Sequence, residues 1–261
     1  MKLTIYQIDA FTDHVFGGNP AAVCFLEKWL DDDLMQRIAM ENNLAETAFL
    51  VKTENGFEIR WFTPTVEVDL CGHATLASAH VLYSHLGYSE SLIRFLSPRS
   101  GLLTVEKVAD QLSMDFPTDE LTPMELPTNA IEVFGTKPIE AYQGKTDYLF
   151  VFADEETVQS CEPRLDILVE YKCRGVIITA PGNEVDFVSR FFAPQSGIPE
   201  DPVTGSAHTS LTPYWSKRLN KERLTAKQLS ARSGDLILEY HGERVNIIGK
   251  AVTYMVGEIE I

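Results

Sequence analysis

Apolar and polar residues alternate from the first positions: Leu3, Ile5 and Gln7 against Thr4, Tyr6 and Ile8, up to Asp9. That period predicts a half-buried strand, and this start reads as a strand rather than a signal peptide. Gly17-Gly18-Asn19-Pro20 predicts a turn, and Ala21 to Leu26 a buried strand. Asp31-Asp32-Asp33 would cap a helix running through Leu34, Met35, Ile38 and Ala39, with Asn42-Asn43 as its stop. Segments 47–51 and 57–62 form a hairpin joined through Asn55-Gly56. Segment 72–87 carries Ala74, Leu76, Ala77, Ala79, Val81, Leu82 and Leu86, so apolar residues fall on most sides of a helix. Such a helix is buried, and in a strand-rich half its place is inside a strongly curved sheet. Strands follow at 92–96, 101–107 and 111–116.

Residues 117–127, rich in proline and acid, read as a linker. Beyond it the plan repeats: strands at 148–153 and 175–180, a helix at 165–171, a strand at 186–193, and a helix opened by Gly205. Pro213 should kink or shorten that helix, because proline removes one hydrogen bond. Final strands fall at 236–240, 244–249 and 251–261.

Two stretches nearly match. Arg60-Trp61-Phe62-Thr63-Pro64 precedes Gly72-His73-Ala74-Thr75-Leu76, and Arg190-Phe191-Phe192-Ala193-Pro194 precedes Gly205-Ser206-Ala207-His208-Thr209. The offset is about half the chain, far beyond solenoid periods, and predicts a duplicated domain. The expected halves are 1–116 and 117–250, with 251–261 returning to the first. Two equivalent helix N-termini would then face each other across a cleft.

Charge narrows the partners. A net charge of -16 repels phosphate backbones and anionic lipid, so nucleic acid and membranes are excluded as partners. A small anion remains possible, since a local site can oppose the global field. Cys24, Cys71, Cys161 and Cys173 form no CxxC pair and no disulfide framework. That points to a reducing cytoplasm and no structural zinc.

Helix N-termini opened at Gly72 and Gly205 offer free N–H groups and partial positive charge, suited to a carboxylate. Nothing here has the glycine pattern of a nucleotide loop. At such an end the imidazolium of His73 is disfavoured, so the ring is expected neutral near pH 7 and able to relay protons. Asp201 lies just ahead of the second helix start, as a turn former or a site residue. Ser206 is the positional partner of His73, as a cap or a hydrogen-bond donor. Cys71 at a helix N-terminus would have a lowered pKa as base or nucleophile. Its counterpart is Thr204, which argues against a two-thiol racemase. Glu46 sits at a helix-to-strand junction, where a partly buried carboxyl can have a raised pKa.

Taken together, these motifs resemble the phenazine-biosynthesis-F-like family. The match rests on Asp9-Ala10-Phe11-Thr12 with Gly18-Asn19-Pro20-Ala21-Ala22-Val23, Leu44-Ala45-Glu46-Thr47-Ala48-Phe49, Cys71-Gly72-His73-Ala74-Thr75 and Asp201-Pro202-Val203-Thr204-Gly205-Ser206-Ala207-His208. The resemblance implies an α+β, diaminopimelate-epimerase-like fold of two pseudo-symmetric halves, each a curved, barrel-like antiparallel sheet around a central helix. It implies a homodimer and a cofactor-free, metal-free isomerase that moves a proton on a small carboxylated metabolite, as in dihydro-hydroxyanthranilate isomerisation. Carried over, Glu46 moves the proton, while His73 and Asp201 tune it or relay. Ser206 with Gly72 and Gly205 holds the substrate carboxylate, and Cys71, Asn19 and Ala45 line the substrate position. The family's serine ahead of its carboxylate is Ala45 here, one hydroxyl fewer. Alternatives are a single-cysteine racemase or dehydratase using Cys71, and a non-catalytic metabolite-binding protein.

Overall fold

The computed structural model describes residues 1–261. In chain order its elements are β1 (Lys2–Ala10), β2 (Asn19–Leu26), α1 (Asp32–Asn42), β3 (Glu46–Thr53), β4 (Gly56–Phe62), β5 (Glu67–Val68), α2 (Gly72–Ser84), β6 (Leu92–Ser97), β7 (Gly101–Val108) and β8 (Gln111–Pro117). There follow β9 (Thr122–Pro123), α3 (Ala130–Phe134), β10 (Glu140–Gln143), β11 (Asp147–Val151), α4 (Glu155–Ser160), α5 (Leu165–Leu168), β12 (Gly175–Pro181) and β13 (Phe187–Ala193). The chain closes with β14 (Ile198–Asp201), α6 (Ala207–Leu219), β15 (Arg223–Gln228), β16 (Gly234–Tyr240), β17 (Arg244–Gly249) and β18 (Ala251–Glu260). Met1–Phe116 with Ile247–Ile261 forms one compact unit, and Pro117–Asn246 the other.

In the first unit the strand order is β18-β1-β2-β3-β4-β6-β7-β8, with β5 added to β4. Pairs β2–β3 and β4–β6 are parallel. The antiparallel sheet expected from the resemblance is therefore a mixed one. The cause is connectivity: α1 and α2 carry the chain across to the far end of the sheet, and a strand entered by such a crossover runs parallel to its neighbour. The two helices bury differently. α1 lays Met35, Ile38 and Ala39 against Leu3, Ile5, Cys24, Phe49 and Phe62. α2 buries nine residues, from His73 to Leu82, and packs on β1, β2, β3 and β18. Its all-round apolar surface needs cover on every side, so the sheet bends about it.

The second unit repeats this wiring. Strand β10 is antiparallel to β11, β11 parallel to β12, β12 antiparallel to β13, β13 parallel to β15, and β15 antiparallel to β16. The series from β1 to β7 has the same directions in the same order. Helices α3, α4 and α5 cover one core, around Phe134, Phe150, Phe152 and Phe192. On α6, Trp215 stacks on Phe187 at 5.6 Å and donates its indole N–H to Thr179 Oγ1 at 3.0 Å.

Repetition extends to side chains. Arg60 on β4 grips Glu67 of β5 through Nε at 2.7 Å and Nη2 at 2.9 Å. Arg190 on β13 grips Glu200 of β14 at 2.7 and 3.0 Å. The guanidiniums lie 5.1 Å over Phe62 and 4.9 Å over Phe192. A planar bidentate fork that also stacks is something lysine could not supply.

Helix ends differ from expectation in two places. Asp31 occupies the N-cap position of α1 without a side-chain cap bond. Helix α6 begins at Ala207, with Gly205-Ser206 in the preceding turn. Pro213 neither ends nor shortens α6, which continues to Leu219. Proline leaves the carbonyl four residues earlier without its N–H partner. That carbonyl, on Thr209, is taken by the Asp119 N–H at 3.2 Å, and Asp119 Oδ2 accepts from Ser210 Oγ at 2.8 Å.

Candidate active site

Parallel pairing sets Ala21 of β2 beside Glu46 of β3, which brings Asn19 and Glu46 to the same ends of adjacent strands. Glu46 opens β3 shortly after the left-handed Asn43 (φ 48°) that caps the end of α1. Asn42 Nδ2 donates to Thr47 Oγ1 at 3.0 Å and holds this junction. Ala45 is half-buried in the same turn, and Asn19 is fully buried.

Helix α2 supplies the facing group. Its N-terminus is fixed by Thr75, whose hydroxyl donates to the Cys71 carbonyl at 2.6 Å. This aims His73 at Glu46, with Nε2 3.1 Å from Oε2 and the two side chains 6% and 13% exposed. The contact lies at ion-pair distance but is not aligned as a hydrogen bond, so both buried atoms keep unused bonding capacity. On the opposite edge of the ring, Cys71 Sγ lies 3.4 Å from Nδ1.

Electrostatics corrects two expectations. Burial pushes the Cys71 thiol up to about 11, so it is protonated near neutral pH and is not the thiolate that a helix N-terminus alone would favour. Burial also opposes charge on His73, but its Cys71 and Glu46 neighbours outweigh burial and hold the ring's pKa well above the usual histidine value. A helix dipole contributes about 0.3–1 kcal/mol, less than a carboxylate delivers from 3.1 Å in a buried site. The His73 pKa is thus raised by its neighbours, where a helix N-terminus alone would lower it.

The ligating atoms of Glu46, Cys71 and His73 lie within 4.8 Å of one another. The sulfur addresses Nδ1 and the carboxylate Nε2.

In the second unit, Asp201 ends β14 and its Oδ2 accepts from Thr204 Oγ1 at 2.5 Å. Fully buried Gln228 staples this loop: Oε1 accepts from Thr204 N at 2.9 Å, and Nε2 donates to the Asp201 carbonyl at 2.8 Å. Gly205 is buried in the turn ahead of α6. Ser206 makes no cap bond; its Oγ accepts from Arg174 Nη2 at 3.0 Å. Arg174 and Gln228 were missed by sequence reasoning. Neither lies in a motif, and each reaches its partner only through sheet pairing.

Glu46 and His73 thus form a buried pair beside the helix start at Gly72. The sequence matches the profile of the phenazine biosynthesis-like protein family over residues 8–257, and the chain belongs to that family. An uncharacterized isomerase of Pseudomonas aeruginosa is 51% identical over 261 residues, 100% of each chain. The crystal structure of a PhzF-family phenazine biosynthesis protein from Enterococcus faecalis superposes with a TM-score of 0.97 at 47% identity, covering 100% of both chains. A hydroxyproline epimerase from Agrobacterium vitis shares the fold at a TM-score of 0.62, with 8% identity over 99% of this chain and 92% of its own. The α+β, epimerase-like fold is thus established. No helix is long and apolar enough to cross a membrane.

Proposed function

We propose that this protein is a cofactor-independent isomerase acting on a small carboxylated metabolite. Glu46 carboxylate removes a proton from one substrate carbon, the double bond shifts, and the Glu46 carboxyl, after exchange with solvent, returns a proton to another carbon. One C–H bond breaks and one forms, so composition is unchanged. His73 stabilises the Glu46 carboxylate between these events and supplies a proton route through Nε2. In the second unit, Asp201 sets the loop before Gly205, and Ser206 is a donor suited to a carboxylate. The relatives' naming as isomerases supports the class. The observation that carries the reading is the buried 3.1 Å pair of Glu46 and His73, with unused capacity on both facing atoms.

Incubation in heavy water with a panel of small unsaturated carboxylic acids tests it. Deuterium should enter one panel member, in Cys71→Ser as in wild type but not in Glu46→Gln. Exchange lost in Cys71→Ser and kept in Glu46→Gln would overturn the proposal.

A further inference from the structure

Arg174 is bound on one side only. Its Nε donates to Asp147 Oδ1 at 2.9 Å, and Nη2 is shared between Asp147 Oδ2 and the Ser206 hydroxyl oxygen. Asp147 is 4% exposed, so it fixes the guanidinium firmly, and Phe191 lies under that plane at 5.3 Å. The Arg174 side chain is nevertheless 41% exposed. Its Nη1, with two N–H groups, donates to no protein acceptor.

Two consequences follow. Ser206 Oγ already accepts from a cation, so its own O–H is left to donate outward. Asp147, Asp201 and Asp119 all act on Arg174 electrostatically. Without that guanidinium, the Ser206 hydroxyl would lose its one cationic neighbour.

We infer that Arg174 is the residue that makes Ser206 a carboxylate-binding position, with Nη1 and the Ser206 hydroxyl as two donors of one grip. The inference rests on the proposed carboxylated substrate, and it assigns selection of the acid over its amide or amine to a side chain outside the Glu46 and His73 centre. A guanidinium pre-organised by a buried carboxylate loses little freedom on binding.

Amide NMR titration with benzoate, benzamide and benzylamine separates these cases by charge at constant shape. In wild type, the Ser206 and Ala207 signals should shift saturably with benzoate, at least tenfold more tightly than with the other two. Arg174→Met should weaken benzoate at least tenfold and leave benzamide within twofold, while Arg174→Lys restores part of the preference. The double variant Asp147→Asn/Arg174→Met removes the stranded carboxylate and should show the same lost preference if the single variant unfolds. Preference of the wild type for benzamide or benzylamine, no response to benzoate, or wild-type benzoate affinity in the methionine variants would each overturn the inference. Glu46→Gln should keep the benzoate preference, so failure of the isomerase reading and failure of this one are read separately.

Discussion

His208 shows how one duplicated position acquires a pH liability. It aligns with Thr75, and each side chain bonds the carbonyl four residues back: Thr75 Oγ1 to Cys71, and His208 Nδ1 to Thr204 at 2.8 Å. His208 has no exposed surface, and burial lowers its pKa from 6.5 to about 4. Above pH 6.5 both folded and unfolded forms are neutral there, and the residue adds no pH dependence. As pH falls below 6.5 the unfolded chain takes the proton first, which favours unfolding. The gap between 6.5 and about 4 corresponds to about 3 kcal/mol of lost stability, complete near pH 4. His208→Asn keeps an amide N–H near the Nδ1 position and removes the titration. Urea unfolding at several pH values should give a wild-type stability falling about 3 kcal/mol more than the variant's across that window. Parallel curves for the two proteins, or a His208 ring titrating near 6.5 by NMR, would refute the reasoning.

Other perturbations probe the remaining parts. Glu46→Gln removes the anion facing His73, so burial should prevail and the ring's pKa should drop in an NMR titration; an unmoved value would contradict the pairing. His73 itself, held above its unfolded value, stabilises the fold fully below about pH 6.5, and that contribution should fade as pH rises through the folded pKa. The Cys71 thiol, raised to about 11, should resist thiol reagents at neutral pH until the protein unfolds. Arg190→Met strands Glu200 and three backbone carbonyls, and calorimetry should show a loss of about 3–5 kcal/mol. Gln228→Leu leaves the buried Thr204 N–H unpaired and should cost about 1–3 kcal/mol.

Much of this was legible in the chain because it is written in local pattern. The apolar girth of α2 foretold its burial, and Asn43 and Gly56 marked the end of α1 and the hairpin. The repeat around Arg60 and Arg190 recurs in the structure as two matched arginine–glutamate grips. What the residues alone could not rank was Glu46 over its neighbours. That choice depends on the β2–β3 register and on where α2 aims His73, and only the family resemblance singled it out. The directions in which the His73 and Cys71 pKa values shift escape the sequence for the same reason. A helix N-terminus is visible in sequence, but the carboxylate and the burial that overrule it come from another strand. Arg174 was silent because its partners, Asp147 and Ser206, are remote in sequence and meet it only in the folded sheet.

The central claim is that one carboxylate, Glu46, carries the proton. Once a panel acid is found to isomerise, turnover by Glu46→Gln tests it most directly. The account predicts a fall of at least about 100-fold, the usual scale for removing a general base, with binding of the acid retained. Turnover within a few-fold of wild type would place the chemistry elsewhere.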